Sequence, residues 1–324
     1  MPTFLQPCTS RPHLVTLGET LFVLLADSGR PIETASHYLP AVAGSEANVA
    51  VALARLGRSV AFATRVGDDA IGRRVIAELI GSGISGDFFV RDALRPTGLL
   101  MRDYSGSRST SVVYFRSGSA GSALSETDAD ALPVPESRCL LVTGLTMSLS
   151  ESACAAAVRA VERAVAHSVP VILDPNLRRS LAPDDRYRQL LRPVLPHITL
   201  LVGGADEVIR LAGADDLEAA TKWIRDLGVA AAVIHDGTRP VRAFTPGGDC
   251  TQEVDRVPLV DPVGAGDAFA AGLLHSWLDD PDDMPAALKS GCALAGLVVA
   301  TPGDQEGLPW HLNLTALGPG TVSR

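Results

Sequence analysis

Six short apolar runs recur along the chain with helix-like runs between most of them, and this alternation restricts the fold more than any other feature. Residues 14–17, 60–64, 139–143, 169–173, 198–202 and 230–234 are short, apolar and often β-branched, as in strands buried on both faces. Residues 46–56 are apolar on nearly every helical face and predict a buried helix. Residues 151–167 are amphipathic, with Glu151, Arg159, Glu162 and Arg163 on the wet side. Repeated β–α alternation predicts an α/β fold with a mostly parallel sheet covered on both faces. Two stretches, 19–41 and 97–116, break the rhythm with strand-like pieces and no helix. Residues 97–104 and 109–115 predict a hairpin joined by Ser-Gly-Ser-Arg. A small sheet projecting from an α/β body would serve as a lid. The expectation is one domain over 1–324, with frayed tails at 1–12 and 313–324.

The formal net charge of −9 argues against a broad nucleic-acid footprint. An acidic chain can still bind anions where arginines and backbone N–H groups gather. Lys222 and Lys289 are the only lysines, and neither lies in a glycine-rich loop. Gly-Lys-Ser/Thr is absent, which excludes a Walker A loop, and protein-kinase signatures are absent too. No apolar run approaches a membrane span and no signal-peptide pattern opens the chain, so a cytoplasmic protein without membrane contact is expected. The five cysteines form no C-x-x-C pair, which predicts reduced thiols and no zinc site.

The segment richest in chemistry is Asp261-Pro262-Val263-Gly264-Ala265-Gly266-Asp267-Ala268-Phe269. Residues 256–260 approach it as a strand would, and 268–278 follow as an apolar helix. Two glycines at such a junction let N–H groups converge where a helix N-terminus carries partial positive charge. A phosphoryl transition state fits that place. Asp267 would repel phosphate there unless it takes a proton from an attacking hydroxyl. A helix-capping Asp after a glycine turn accounts for the local pattern equally well. Gly81-Ser82-Gly83-Ile84-Ser85-Gly86 matches G-x-G-x-x-G, but it follows a helix-like run and precedes a strand, the reverse of a dinucleotide site, so it predicts a helix end and loop.

Asp261–Phe269 and the following Ala-Ala-Gly-Leu-Leu resemble the C-terminal signature of the PfkB, or ribokinase-like, carbohydrate kinases. Gly44-Ser45-Glu46-Ala47-Asn48 through Gly57 resembles their N-terminal signature, and Gly67-Asp68-Asp69-Ala70-Ile71-Gly72 their G-x-D-x-x-G segment. The resemblance spans about 14–310 and implies a three-layer αβα sandwich with a β-sheet lid. It implies catalysis by Asp267 with Gly264, Ala265 and Gly266 on the transferring phosphoryl, and ATP and Mg²⁺ as cofactors. It also raises a monovalent cation such as K⁺, and a homo-oligomer formed through the lid.

Within the family the chain is most similar to 2-keto-3-deoxygluconate kinases, through Tyr114-Phe115-Arg116, Ser119–Leu124, Asp174-Pro175-Asn176-Leu177-Arg178 and Gly303–Gly307. That similarity implies phosphorylation of the primary hydroxyl of a keto-deoxy sugar acid. Arg116 and Arg178 would hold its carboxylate and Tyr114 would add a hydrogen bond. Gly18, Gly44, Asn48, Asp174 and Asn176 complete the implied sugar site. Nucleotide contacts fall to Asp206, His235, Gly237, Gly264 and Gly266, and the metal to Asp206.

Four positions depart from the pattern. Leu100 stands in place of a substrate-contacting Tyr, and Ala43 replaces a Gly. Gly203-Gly204-Ala205-Asp206 stands where Asn-x-x-Glu is usual, and His235-Asp236-Gly237 where Lys-x-Gly is usual. Two alternatives follow: a fructose, ribose or nucleoside kinase of the same fold, or a non-catalytic sugar or nucleotide sensor.

Overall fold

The computed structural model describes residues 11–105 and 110–310. Most of the expected tails, and the turn of the expected hairpin, lie outside them. The N-terminal part runs β1 (Leu14–Leu17), β2 (Leu21–Ala26), β3 (Tyr38–Ala43), α1 (Ser45–Arg55), β4 (Val60–Gly67), α2 (Ala70–Gly81) and β5 (Phe89–Asp92). Next come β6 (Leu99–Arg102), β7 (Val112–Phe115), α3 (Glu126–Ala131), β8 (Leu140–Thr143), α4 (Gly144–Met147), α5 (Glu151–Ala166), β9 (Val171–Asp174) and α6 (Asp184–Leu191). The remainder is β10 (Leu200–Gly204), α7 (Ala205–Ala212), α8 (Leu217–Asp226), β11 (Ala231–Asp236), β12 (Arg239–Phe244), β13 (Cys250–Gln252), α9 (Ala265–Trp277) and α10 (Met284–Val299).

The large sheet has the order β13-β12-β11-β10-β9-β8-β1-β4-β5. It is parallel from β11 to β5, with β12 and β13 antiparallel at one edge. Both faces of β1 are apolar because both are covered. Leu14 joins a core built with α1, α2, α9 and α10, whereas Val15 and Leu17 join one built with α3, α5, α6, α7 and α8. That is the period-two alternation of a strand between two helical layers. The helix starts are locally determined. Asp69 accepts from Gly72 N, Ser150 from Ala153 N and Asp216 from Ala219 N. Gly44 precedes α1 where a Cβ would stand 2.3 Å from the Glu19 carbonyl, and the first nine residues of α1 are buried.

A second, four-stranded sheet has the order β3-β2-β6-β7. It contains both stretches that interrupt the β–α rhythm, and the β6–β7 pair is the expected antiparallel hairpin. Gly83 adopts φ +93° just after α2, so the G-x-G-x-x-G match is a helix end. One element differs from expectation. Residues 256–260 join no sheet, and Val257 and Leu259 face solvent. The N–H groups of Val260 and Asp261 bond Val299 O at the end of α10, which ties the end of this segment to a helix and not to a strand. Cys139, Cys154, Cys250 and Cys292 are free thiols, and burial pushes Cys139 up to about 12. No described helix is long and apolar enough to cross a membrane.

Candidate active site

The parallel strands deliver their C-terminal ends to one edge, where open α/β sheets bind ligands. Thr143 ends β8, Asp174 ends β9, Gly204 ends β10, and His235 lies near the end of β11. The N-termini of α1 and α9 arrive at the same edge, and Asp267 is the meeting point. It lies in the first turn of α9, buried, and its two carboxylate oxygens are held separately from α1. Ser45 Oγ donates to Oδ1 at 2.8 Å and Asn48 Nδ2 donates to Oδ2 at 2.8 Å. Asn176 Nδ2 in turn donates to Ser45 Oγ at 2.7 Å. Asn176 has φ +38°, a conformation that an L-residue holds only at a cost of about 1–3 kcal/mol. Its N–H bonds Asp174 Oδ1 at 3.0 Å, which fixes it there. Burial pushes the Asp267 carboxyl up to about 7, against the pull of Asn48, Ser45 and Arg178, with Asp304 adding to the rise. A carboxyl poised there can take up and release a proton near neutral pH.

Gly264 caps α9 at φ +83°, and the first i→i−4 bond of the helix is Ala268 N to Gly264 O. The N–H groups of Gly266 and Asp267 precede that bond and belong to the free donors of the helix start. Ala265 N already has a long 3.4 Å bond to Pro262 O. Beyond Gly266 the space is open, with the His235 ring 3.8 Å from where a Cβ would stand. Donors, helix dipole and open space together make an anion site.

Charges of both signs surround it. Asp174 is pushed well above the usual carboxylate range by burial and by the like charges of Glu207 and Asp267. Glu207 Oε1 accepts from Leu177 N at 3.0 Å and Oε2 from Gly204 N at 3.2 Å, which aims it along the sheet edge. Arg178 follows the end of β9 with its side chain exposed, near the carboxylates of Asp267, Glu207 and Asp174. Burial works against its charge, but Asp267, Glu207 and Asp174 outweigh that and hold it protonated. Among the described residues its guanidinium has no hydrogen-bond or ion-pair partner, and only its backbone is bonded, to Tyr187, Leu181 and Ala182. His235 packs against Phe269 with ring centroids 5.4 Å apart, and burial lowers its pKa so that it stays neutral.

The small sheet contributes Tyr114 and Arg116. Tyr114 is 41% exposed and pairs across the hairpin with Leu100, which is buried in the small-sheet core. Arg116 stacks on the Tyr114 ring at 5.5 Å, but its guanidinium is paired with the buried carboxylate of Glu19, which Ser119 also holds. The expected pair of free arginines is therefore one free arginine, Arg178. Arg116→Ala should lower unfolding stability by about 3 kcal/mol at pH 8, because Glu19 would be left buried and unpaired. Burial already raises the Glu19 pKa. A raised pKa makes the ionised form costlier as pH rises, so the loss should shrink at pH 5, where Glu19 can protonate. Denaturant melts at the two pH values check this.

A family model for pfkB carbohydrate kinases matches residues 11–311. The chain belongs to the pfkB family of carbohydrate kinases. A 2-dehydro-3-deoxygluconokinase of Thermoproteus tenax is 33% identical over 94% of this kinase and 93% of its own length. One from Bacillus subtilis is 30% identical over 93% and 94%. The solved PfkB protein from Polaromonas sp. JS666 superposes with a TM-score of 0.84 at 30% identity, covering 94% of this chain and 100% of that one. An E. coli structure in complex with ATP and Mg²⁺ shares the fold, with a TM-score of 0.86 at 22% identity over 94% and 98%. The fold of this kinase is accordingly the ribokinase-like αβα sandwich.

Of the residues singled out in the sequence, Asp267, Gly264, Ala265, Gly266, Asn48, Asp174, Asn176, Arg178 and His235 converge in the kinase structure. Gly44 is the N-cap of α1, packed against the Glu19 carbonyl. Three others stand elsewhere. Asp206 has a side chain 80% exposed and pairs with Arg210 at 2.9 Å on the outside of α7. Glu207, one residue on, faces the site, so the Asn-x-x-Glu pattern maps onto Gly204–Glu207. Gly18 does not open the backbone to a ligand, because a Cβ there would meet the Glu46 carboxylate at 2.3 Å. Gly237 is the exposed turn of the β11–β12 hairpin, with φ +57°. Ser45 and Glu207 went unassigned in the sequence, as did Asp304 and Gln305, which hydrogen-bond Asn48. Glu207 bonds back to Gly204 N, but Gly204 has no side chain to complete a capping box that the sequence could have shown.

Proposed function

We propose that this pfkB kinase transfers the γ-phosphoryl group of ATP to the primary hydroxyl of a keto-deoxy sugar acid, 2-keto-3-deoxygluconate giving its 6-phosphate. The observation that carries it is Arg178, an exposed cation whose guanidinium has no partner among the described residues and whose charge acts on Asp267. A neutral sugar has no use for a free guanidinium there, whereas a sugar carboxylate does. The names of the Thermoproteus tenax and Bacillus subtilis relatives support the same substrate.

The sugar lies between the small sheet, acting as a lid, and the strand ends. Arg178 binds its carboxylate, Tyr114 bonds a sugar oxygen, and Asn48 orients the base. Asp267 takes the proton of the primary hydroxyl as that oxygen attacks the γ-phosphorus, and the bond from the γ-phosphorus to the β-phosphate oxygen breaks, releasing ADP. Ser45 and Asn48 hold the carboxylate in one orientation, so proton transfer needs little rearrangement. The Gly266 and Asp267 N–H groups donate to the phosphoryl oxygens, and His235 flanks the nucleotide. Asp174 and Glu207, neighbouring carboxylates at one edge, would hold an Mg²⁺ ion, which would supply neutralisation of phosphate charge. Among the described residues no cluster of three ligands would hold a metal without the nucleotide.

The rise of Asp267 to about 7 sets a pH dependence. The active form is the carboxylate, so kcat/KM should fall about tenfold per unit as pH drops below about 7 and level off above it. A profile flat from pH 5.5 to 8.5 would contradict Asp267 as base. A neutral-sugar substrate is favoured by one observation, the neutralisation of Arg116 by Glu19. The sensor alternative rests on the altered Gly203–Asp206 segment, and the carboxylate of Glu207 beside Asp174 speaks against it. ³¹P NMR of the product tests the proposal. It should show a phosphomonoester on the primary carbon of 2-keto-3-deoxygluconate; ATP consumed with phosphate elsewhere, or not consumed, would overturn it.

A further inference from the structure

Beneath the anion loop lies a buried charge cluster that the phosphoryl-transfer scheme does not use. Asp261, which opens the loop, is fully buried, and Asp304 is buried on the segment that packs against Gly264. A Cβ on Gly264 would meet the Asp304 carbonyl at 3.0 Å, so the two segments are in contact. Buried carboxylates gathered in one interior site call for a counter-charge beside them. The chain supplies one from a distant segment. Arg102 is the last residue of β6 in the small sheet and is 2% exposed. Its Nη1 donates to Asp261 Oδ2 at 2.8 Å and to the Asp103 carbonyl at 3.2 Å, and its Nη2 donates to Asp304 Oδ1 at 2.6 Å.

The other carboxylate valences are taken by N–H donors. Asp261 Oδ2 accepts from Gly303 N at 2.9 Å and Oδ1 from Val263 N at 3.2 Å. Asp304 Oδ2 accepts a longer bond from Asn48 Nδ2 at 3.4 Å, and the same Nδ2 donates to Asp267. Contacts thus run unbroken from the lid strand through Arg102, Asp304 and Asn48 to the carboxylate of Asp267. Burial works against the charge on Arg102, but Asp304 and Asp261 outweigh it and keep the side chain protonated.

We propose that the Arg102 guanidinium is the resident cation of this kinase: a positioning residue that ties the Gly264–Asp267 loop to the small sheet and itself supplies the positive charge that the buried carboxylates Asp261 and Asp304 face. Turnover then needs no K⁺ or Na⁺. The inference rests on the kinase assignment but not on which sugar is phosphorylated. The first test uses the wild-type protein in tetramethylammonium salts, with KCl or NaCl substituted at constant ionic strength. Neither the melting midpoint, read without substrate, nor the turnover with the best acceptor should change by more than the error. A midpoint or a rate that rises with K⁺ would overturn the inference, and the midpoint reads out even if the acceptor has been misassigned.

The second test is substitution. Arg102→Ala should lose about 10²-fold in kcat with a smaller change in KM, and recover part of it with added guanidinium or K⁺. Arg102→Lys, which retains a cation, should lose less than Arg102→Ala. Full activity of Arg102→Ala without added cations would overturn the inference. So would an Arg102→Ala protein that melts cooperatively yet is rescued by no cation.

Discussion

Asp267→Asn should lower kcat by about 10²–10⁴ while KM for both substrates stays within a few-fold. Asn keeps the size and planarity of the side chain but cannot take the hydroxyl proton. The environment of Asp267 is specific to that role. A capping Asp at a helix start would accept bonds from its own helix, whereas this carboxylate accepts from Ser45 and Asn48 of another helix. Its ionised form is disfavoured by burial up to about pH 7. That charge works against folding as pH rises through about 7, so the Asn variant should melt no lower than wild type at pH 8. Lost turnover with a retained melting midpoint separates a base from a structural aspartate. An Asn variant with near-normal kcat would leave Asp267 as packing alone.

Arg178→Ala should cut kcat/KM for a keto-deoxy sugar acid by about 10²–10³ and for a neutral sugar by less than tenfold. The guanidinium has charge but no partner of its own in the cleft, so its loss removes a charge-assisted pair that only an acidic substrate makes. Arg178 also pulls the Asp267 pKa down, so its removal shifts the base upward for every substrate alike. The comparison therefore belongs at pH 8.5 or above, and the ratio between substrates is the informative quantity. Equal losses for acid and neutral sugars would mean that Arg178 acts through Asp267 and not on a carboxylate.

The layers of the fold were legible because strands covered on both faces leave a continuous apolar run, which periodicity detects. Residues 256–260 look like another such run and are not one, since strand pairing depends on a neighbour that the local sequence does not specify. The base was legible because Asp267 stands in a glycine-rich helix start. The residues that hold it were harder. Ser45 and Asn48 lie more than 200 positions away, and only the fold shows that they meet its two oxygens. Asp206 and Glu207 are adjacent acids, and the sequence gives no rule for which turns inward; helix phase from the end of β10 decides it. Arg116 has the composition of a ligand-binding residue, yet Glu19 had claimed its charge. Arg102 was invisible because its partners, Asp261 and Asp304, come together only when the small sheet docks.

The most direct measurement is kcat/KM for 2-keto-3-deoxygluconate beside fructose and ribose, in one assay of ATP-dependent ADP release by the wild-type protein. A free Arg178 beside the Asp267 base predicts that the sugar acid is preferred by at least about tenfold. Equal constants, or a preference for a neutral sugar, would contradict it.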